Sequence, residues 1–207
     1  MSTQDLLFLF ALVVSVMVHE VTHGYVALLF GDRTAKEAHR LTFNPLRHID
    51  VLGTLIIPFI LIISGLTPFG WAKPVPVDPT RLRNPKNQFP IVEIAGPISN
   101  AVMSALAFFL TELSIHQVFL PGFVNLWIDF GLVNVVLGIF NLLPIPPFDG
   151  SALLERFWPN SKRASYFKFR SYALPITMGV IFIDNQTTHI ISGLLYHVQN
   201  WWFSLLF

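Results

Sequence analysis

The chain has 207 residues, of which 53% are hydrophobic and 12% charged, and its mean hydropathy of +0.60 lies well outside soluble globular usage. That length accommodates several membrane spans and short loops but no additional folded soluble domain, so a regulatory module would have to be another chain. With no cysteine, disulfides, thiol catalysis and thiolate metal sites are excluded, and a metal must be held by imidazole and carboxylate.

The first apolar segment, residues 6–30, has neither a basic leader nor a small-residue cleavage pattern and reads as a retained span. Inside it stands His19-Glu20-Val21-Thr22-His23. Residues four apart on a helix share a face, so both imidazoles can bind one metal while Glu20 reaches a water beside it. An acidic group near the bilayer centre costs about 2.5–3.5 kcal/mol on insertion scales, so a Glu between two histidines there calls for a metal or a polar cavity. The pattern points to a zinc protease with its site inside the membrane. Gly24, next in the chain, allows either close helix packing or substrate approach.

All 13 Lys and Arg fall in three stretches: Arg33 to Arg47, Lys73 to Lys86, and Arg156 to Arg170. The positive-inside rule puts all three in the cytoplasm. The apolar run 51–66 lies between two of them and is shorter than the roughly 20 residues a crossing needs, so it reads as a re-entrant element. The alternative is an ordinary span with one basic loop outside. Beyond it, Lys73 to Val77 alternates prolines and reads as extended. Spans at 91–113 and 123–143 follow, joined by a loop at Pro121-Gly122 that faces outward. The tail, 173–207, is one interrupted crossing or a short hairpin, and Trp201-Trp202 is an interfacial anchor or lipid-facing packing. His39, His48, His116, His189 and His197 read as surface or interfacial residues.

A catalytic zinc normally has three protein ligands, and two histidines leave it one short. Asp149 is the best candidate for the third, at the end of Asn141-Leu142-Leu143-Pro144-Ile145-Pro146-Pro147-Phe148-Asp149-Gly150. The prolines stop the preceding helix and predict an extended chain, which at membrane depth is tolerated only against protein or a wet cavity. Taken alone, Asp149 could equally be an N-cap at the membrane surface.

HEVTH at 19–23 together with NLLPIPPFDG at 141–150 resembles the site-2 protease family of intramembrane zinc metalloproteases. The similarity extends to RLTFNPLRHID at 40–50, GWAKPVPVD at 70–78 and AGPISN at 95–100. The resemblance implies one Zn2+ per chain on His19, His23 and Asp149, Glu20 as the catalytic base, and substrate or oxyanion contacts for Asn100 and Asn141. Relatives with a PDZ or CBS module are longer; this sequence is similar to the compact form. Phe148 stands where Leu is common.

The expected fold is therefore an all-α polytopic membrane protein, a transmembrane helix bundle with a small re-entrant or β-like element between the first and second core spans, forming one metalloprotease domain over 1–207. The expected function is hydrolysis of a peptide bond within or near a transmembrane helix, as in regulated intramembrane proteolysis. Partners are a transmembrane protein or peptide substrate and the lipid bilayer, with no nucleic acid. The setting is a multi-pass membrane protein, in the plasma membrane if bacterial. The alternatives are a catalytically silent membrane chaperone, which would be expected to have lost the Glu, and a metal transporter, which would be expected to show repeated halves. A di-iron desaturase would need several histidine clusters.

Overall fold

The computed structural model describes residues 3–64, 71–158 and 163–206, and in them the chain is helical with no strand. The apolar N-terminal run forms α1, Thr3–Leu29. Gly31 ends it, with φ at +106°, a left-handed conformation that costs glycine least. There the Asp32 amide turns back to the Ala27 carbonyl at 3.0 Å. After a short α2, Thr34–Glu37, the run expected to be re-entrant or β-like is helical in its described part: a wide turn at Val51–Ile56 continues into α3, Ile57–Ile63. Residues 65 and 66 of that run lie outside the described residues.

The second span is longer than hydropathy indicates. It is α4, Pro85–Ile115, started by Asn84 as N-cap with Pro85 in the first turn, where a missing N–H costs nothing. Residues 91–113 are its apolar centre. The third span is α5, Val124–Asn141. A brief α6, Ser151–Phe157, follows. The tail forms two helices, α7, Arg163–Gln186, and α8, Ile190–Leu206. Asp184 makes the corner between them by accepting the Ile190 and Ile191 amides at 2.9 Å each.

Three helices, Leu6–Leu29, Pro85–Ile115 and Val124–Asn141, are long and apolar enough to cross a membrane. They pack on one another, and α8 adds to α5 and α4. Their interior differs from that of a soluble protein. Many buried positions are small or polar, including Ala11, Ser15, Asn100, Ser104, Ala107, Thr111 and Asn134, while Phe10, Val102 and Phe109 are 59%, 63% and 57% exposed. Lipid solvates large apolar side chains as well as a core would, so close backbone approach and internal hydrogen bonds hold such helices together. Gly131 shows the approach: a Cβ there would collide with the Trp202 indole, which is itself buried. Trp202 is thus a packing residue, whereas Trp201 is exposed.

The first two basic stretches are bound to each other. Arg81 pairs with Glu37 at 2.8 Å, the Asp78 amide donates to Asp32 at 2.7 Å, and Arg40 donates to the Lys73 carbonyl at 2.7 Å. Segment 71–78 has no regular secondary structure. His48 departs from its expected surface position. It is buried, its ring donates to the Thr42 carbonyl at 2.9 Å, and its own carbonyl accepts from the Lys73 amide at 2.9 Å.

These contacts agree with the expectation that residues 31–50 and 71–86 lie on one side of the bilayer, which thiol labelling tests. Lys36→Cys and Lys86→Cys, in a chain otherwise free of cysteine, should react with an impermeant thiol reagent from the same face of sealed vesicles. Labelling from opposite faces would show residues 51–66 to be a true span.

Candidate metal centre

One turn of α1 separates His19 from His23, and their rings meet edge to face with centroids 4.7 Å apart. Their Nε2 atoms lie 3.0 Å apart. Asp149 Oδ2 stands 3.1 Å from His19 Nε2 and 3.4 Å from His23 Nε2. Among the described residues this is the one group of His, Cys, Asp or Glu side chains with ligand atoms close enough to share an ion.

The other ring nitrogens decide what these three atoms can hold. His23 Nδ1 is 2.8 Å from the Val92 carbonyl, which can only accept, so the proton of a neutral ring sits on Nδ1 and the Nε2 lone pair faces inward. His19 Nδ1 meets Asn100 Oδ1 at 2.5 Å, and the amide orientation follows from Asn100 Nδ2 donating to Asn134 Oδ1 at 2.8 Å. Two lone pairs then converge with a carboxylate oxygen that is buried and has no hydrogen-bond partner. A single added proton would bridge one pair of these atoms and leave the third unsatisfied. A cation satisfies all three, and two imidazoles with one carboxylate fit a zinc-type ion with a position left open.

Each ligand is placed by identifiable local chemistry. Pro97 has no N–H for the Glu93 carbonyl, which loosens α4 in the turn where His23 reaches Val92. One residue earlier, Gly96 leaves room for the imidazoles, since a Cβ would press on both rings. The chain around Asp149 is not extended as its prolines predict. It doubles back through turns, with the Phe148 amide donating to Ile145 at 3.1 Å and the Gly150 amide to the Asn141 carbonyl at 2.7 Å. Proline forbids continued helix but suits tight turns. Gly150 is required because a Cβ would meet the Leu142 and Leu143 backbone. Asp149 does not cap α6; the cap position is Gly150 and no side chain serves it.

Behind His19 runs a buried chain of hydrogen bonds. Asn100 donates to Asn134, Asn134 Nδ2 reaches Ser15 Oγ at 2.8 Å, and Ser15 donates to the Ala11 carbonyl at 2.7 Å. Asn100 is thus a partner of His19 and fully buried. Asn141 turns its amide back to the Leu137 carbonyl at 3.0 Å. Glu20 accepts from the Val75 amide at 2.7 Å, which ties segment 71–78 to α1. Gly24 serves that same packing, since a Cβ would lie 2.5 Å from Leu41 Cδ2 and 2.8 Å from Val75 Cγ1. Sequence reasoning passed over Ser15, Gly96 and Asn134. It also passed over Glu93, part-buried beside Val92, which Arg170 approaches at 3.8 Å while holding Glu155 at 2.6 Å. Ser15 carried a signal: it lies four residues before His19, on the same helical face.

A bundle of apolar helices around a buried two-histidine, one-carboxylate centre is the architecture of a membrane metalloenzyme. Residues 112–183 match the model of peptidase family M50. A Bacillus subtilis (strain 168) protein named "Putative zinc metalloprotease YwhC" is 36% identical over 193 residues, covering 89% of this chain and 83% of the relative. The identically described Rip2 of Mycolicibacterium smegmatis is 34% identical over 155 residues, 72% of this chain and 57% of its own length. No solved structure matches. The chain belongs to peptidase family M50, the site-2 protease family, and is a membrane metalloprotease.

The hydrogen-bond chain makes a prediction about a residue remote from the ligands. Asn134→Leu removes the acceptor of Asn100 and the donor to Ser15, so metal affinity measured by chelator competition should fall about 10–100-fold. Stability should fall by about 1–3 kcal/mol for the unsatisfied partners. Wild-type metal affinity in Asn134→Leu would show that the chain does not orient His19.

Proposed function

We propose that the protein is an intramembrane zinc endopeptidase, with residues 1–207 acting as one membrane-embedded catalytic domain that cuts a transmembrane helix of a protein substrate. The observation that carries this reading is the convergence of His19 Nε2, His23 Nε2 and the unpartnered Asp149 Oδ2 inside an apolar bundle. One zinc ion on these three residues would supply Lewis acidity to the water and to the scissile carbonyl.

The chain's own groups supply the remaining chemistry. Glu20 takes the proton of the attacking water and returns it to the leaving amine. The Val75 N–H, donating to Glu20 Oε2 at 2.7 Å, fixes the carboxylate's orientation. Asn100 holds His19 in the tautomer that leaves Nε2 free. The amides of Asn100 and Asn141 each donate one proton within the bundle, and the bond from Asn100 to His19 already gives Asn100 a positioning role. In lipid a substrate helix has its backbone internally bonded, so the cut follows local unwinding and favours Gly, Pro or Asn near the scissile bond. Segment 73–77 offers carbonyls along which an unwound strand can lie. Residues 51–66 enter and leave the bilayer on the same side, and the cellular setting is the plasma membrane if the source is bacterial.

Two variant sets test the assignment. His23→Ala and Asp149→Ala should lose most of the single zinc measured by metal analysis of purified protein, while Glu20→Gln should keep it and lose nearly all cleavage. Unchanged zinc in the first set, or wild-type turnover in Glu20→Gln, would refute the site. Membrane proteomics comparing wild type with Glu20→Gln should reveal shortened transmembrane fragments; replacing a substrate's helix breakers with Leu should slow its cleavage.

A further inference from the structure

The loop after α1 contains a cavity of about 420 Å3 lined by Lys36, His39, Leu41, Thr42, Asn44 and Arg47, within the range of about 300–1,000 Å3 common for small-ligand sites. Its polar lining is biased toward donors. No carboxylate of the described residues pairs with Lys36, His39 or Arg47, and the adjacent Glu37 is held by Arg81 at 2.8 Å. Thr42 Oγ1 and Asn44 Oδ1 already accept backbone amides, from Asn44 at 3.2 Å and Leu46 at 3.1 Å, which leaves the Thr42 hydroxyl proton and the Asn44 NH2 to donate. Two cations, an imidazole and two neutral donors, with no carboxylate among the lining residues, make a receptor for an anion.

The position of the cavity identifies the kind of anion. Leu41 packs at Gly24, five residues before the end of α1 at Leu29, so the loop runs beside the last turns of a spanning helix, roughly 7 Å inside its end at 1.5 Å per residue. Phe43 and Leu46, between the cavity residues, are 59% and 71% exposed. Apolar side chains turned outward near the end of a spanning helix suit the acyl chains of a leaflet, and cations beside them suit its headgroups.

We propose that Lys36, His39 and Arg47, with Thr42 and Asn44, bind the phosphate of an anionic phospholipid headgroup, with Phe43 and Leu46 seated in the same leaflet. The site is joined to the catalytic base by a short path. The Thr42 carbonyl accepts from the His48 ring, the His48 carbonyl from the Lys73 amide, the Lys73 carbonyl from Arg40, and Val75 donates to Glu20. A bound headgroup therefore stiffens the loop that holds the segment orienting Glu20. Binding itself does not depend on the proposed peptidase reaction.

The test uses the full-length protein in detergent with phosphatidylglycerol or phosphatidylcholine, and native mass spectrometry to count retained lipid. Phosphatidylglycerol should be retained preferentially, and Lys36→Ala/Arg47→Ala should retain it about tenfold less. Lys86→Ala/Arg156→Ala, with the same loss of charge elsewhere, should retain it like the wild type. Circular dichroism melts should coincide for all three proteins. Phe43→Ser/Leu46→Ser should also lose lipid, and excess inorganic phosphate should fail to displace it. Equal retention by both double-alanine variants, or equal loss from both, overturns the site. Displacement by inorganic phosphate together with unchanged retention in Phe43→Ser/Leu46→Ser overturns the lipid as its ligand.

Discussion

Two imidazole lone pairs and a carboxylate oxygen are brought together where there is no bulk water to separate them, and most of the surrounding structure answers that problem. An ionised carboxylate in a low-dielectric interior costs several kcal/mol unless it is paired. Asp149 lies within 3.4 Å of both Nε2 atoms, yet a neutral ring has no proton to give it while its Nδ1 donates to Val92 or Asn100. The outer hydrogen bonds therefore make the inner contact unfavourable by itself and favourable with a cation. Fixing the tautomers from outside is how the bundle arranges three polar side chains so that they could hold a metal.

That receptor also explains the distribution of small residues. Gly96 admits the imidazoles, Gly150 admits the returning chain that carries Asp149, and Gly131 admits Trp202 of the last helix. Along the interface of α1, α4 and α5, the buried Ser15, Asn100 and Asn134 form one connected path ending at His19. Each side-chain nitrogen and oxygen along it has at least one partner, a condition that burial in lipid makes strict. Metal site and helix packing are thus one construction: the residues that draw the helices together are those that orient the ligand.

The spans and the ligand candidates were legible because their signals are local. His19 and His23 share a face by helical spacing, and the prolines after Asn141 end a helix wherever they occur. What was not legible depends on tertiary partners. The length of α4 was underestimated because its first turn is polar and Pro90 follows in the second, while its true start is set by the Asn84 cap and Pro85. The Asp149 segment folds back on itself because of the Gly150 bond to Asn141, a contact across the whole turn. His48 looked like one more polar residue in a basic loop, and its burial comes from the Lys73 segment laid over it. Asn134 stands among apolar residues in the middle of α5, and its side-chain partners Asn100 and Ser15 come from α4 and α1.

The segment facing Glu20 joins these points. Pro74 and Pro76 have no amide proton, and the one between them, on Val75, is spent on the Glu20 carboxylate. From 74 to 76 the backbone is left with carbonyls only. A chain lying alongside must bring its own N–H groups, which an intact transmembrane helix cannot do because every one is already bonded within the helix. An unwound segment can. In the proposed reaction the residue that holds Glu20, with the prolines on either side of it, would discriminate by hydrogen-bonding state, accepting a backbone that has lost its helix and offering nothing to one that has kept it.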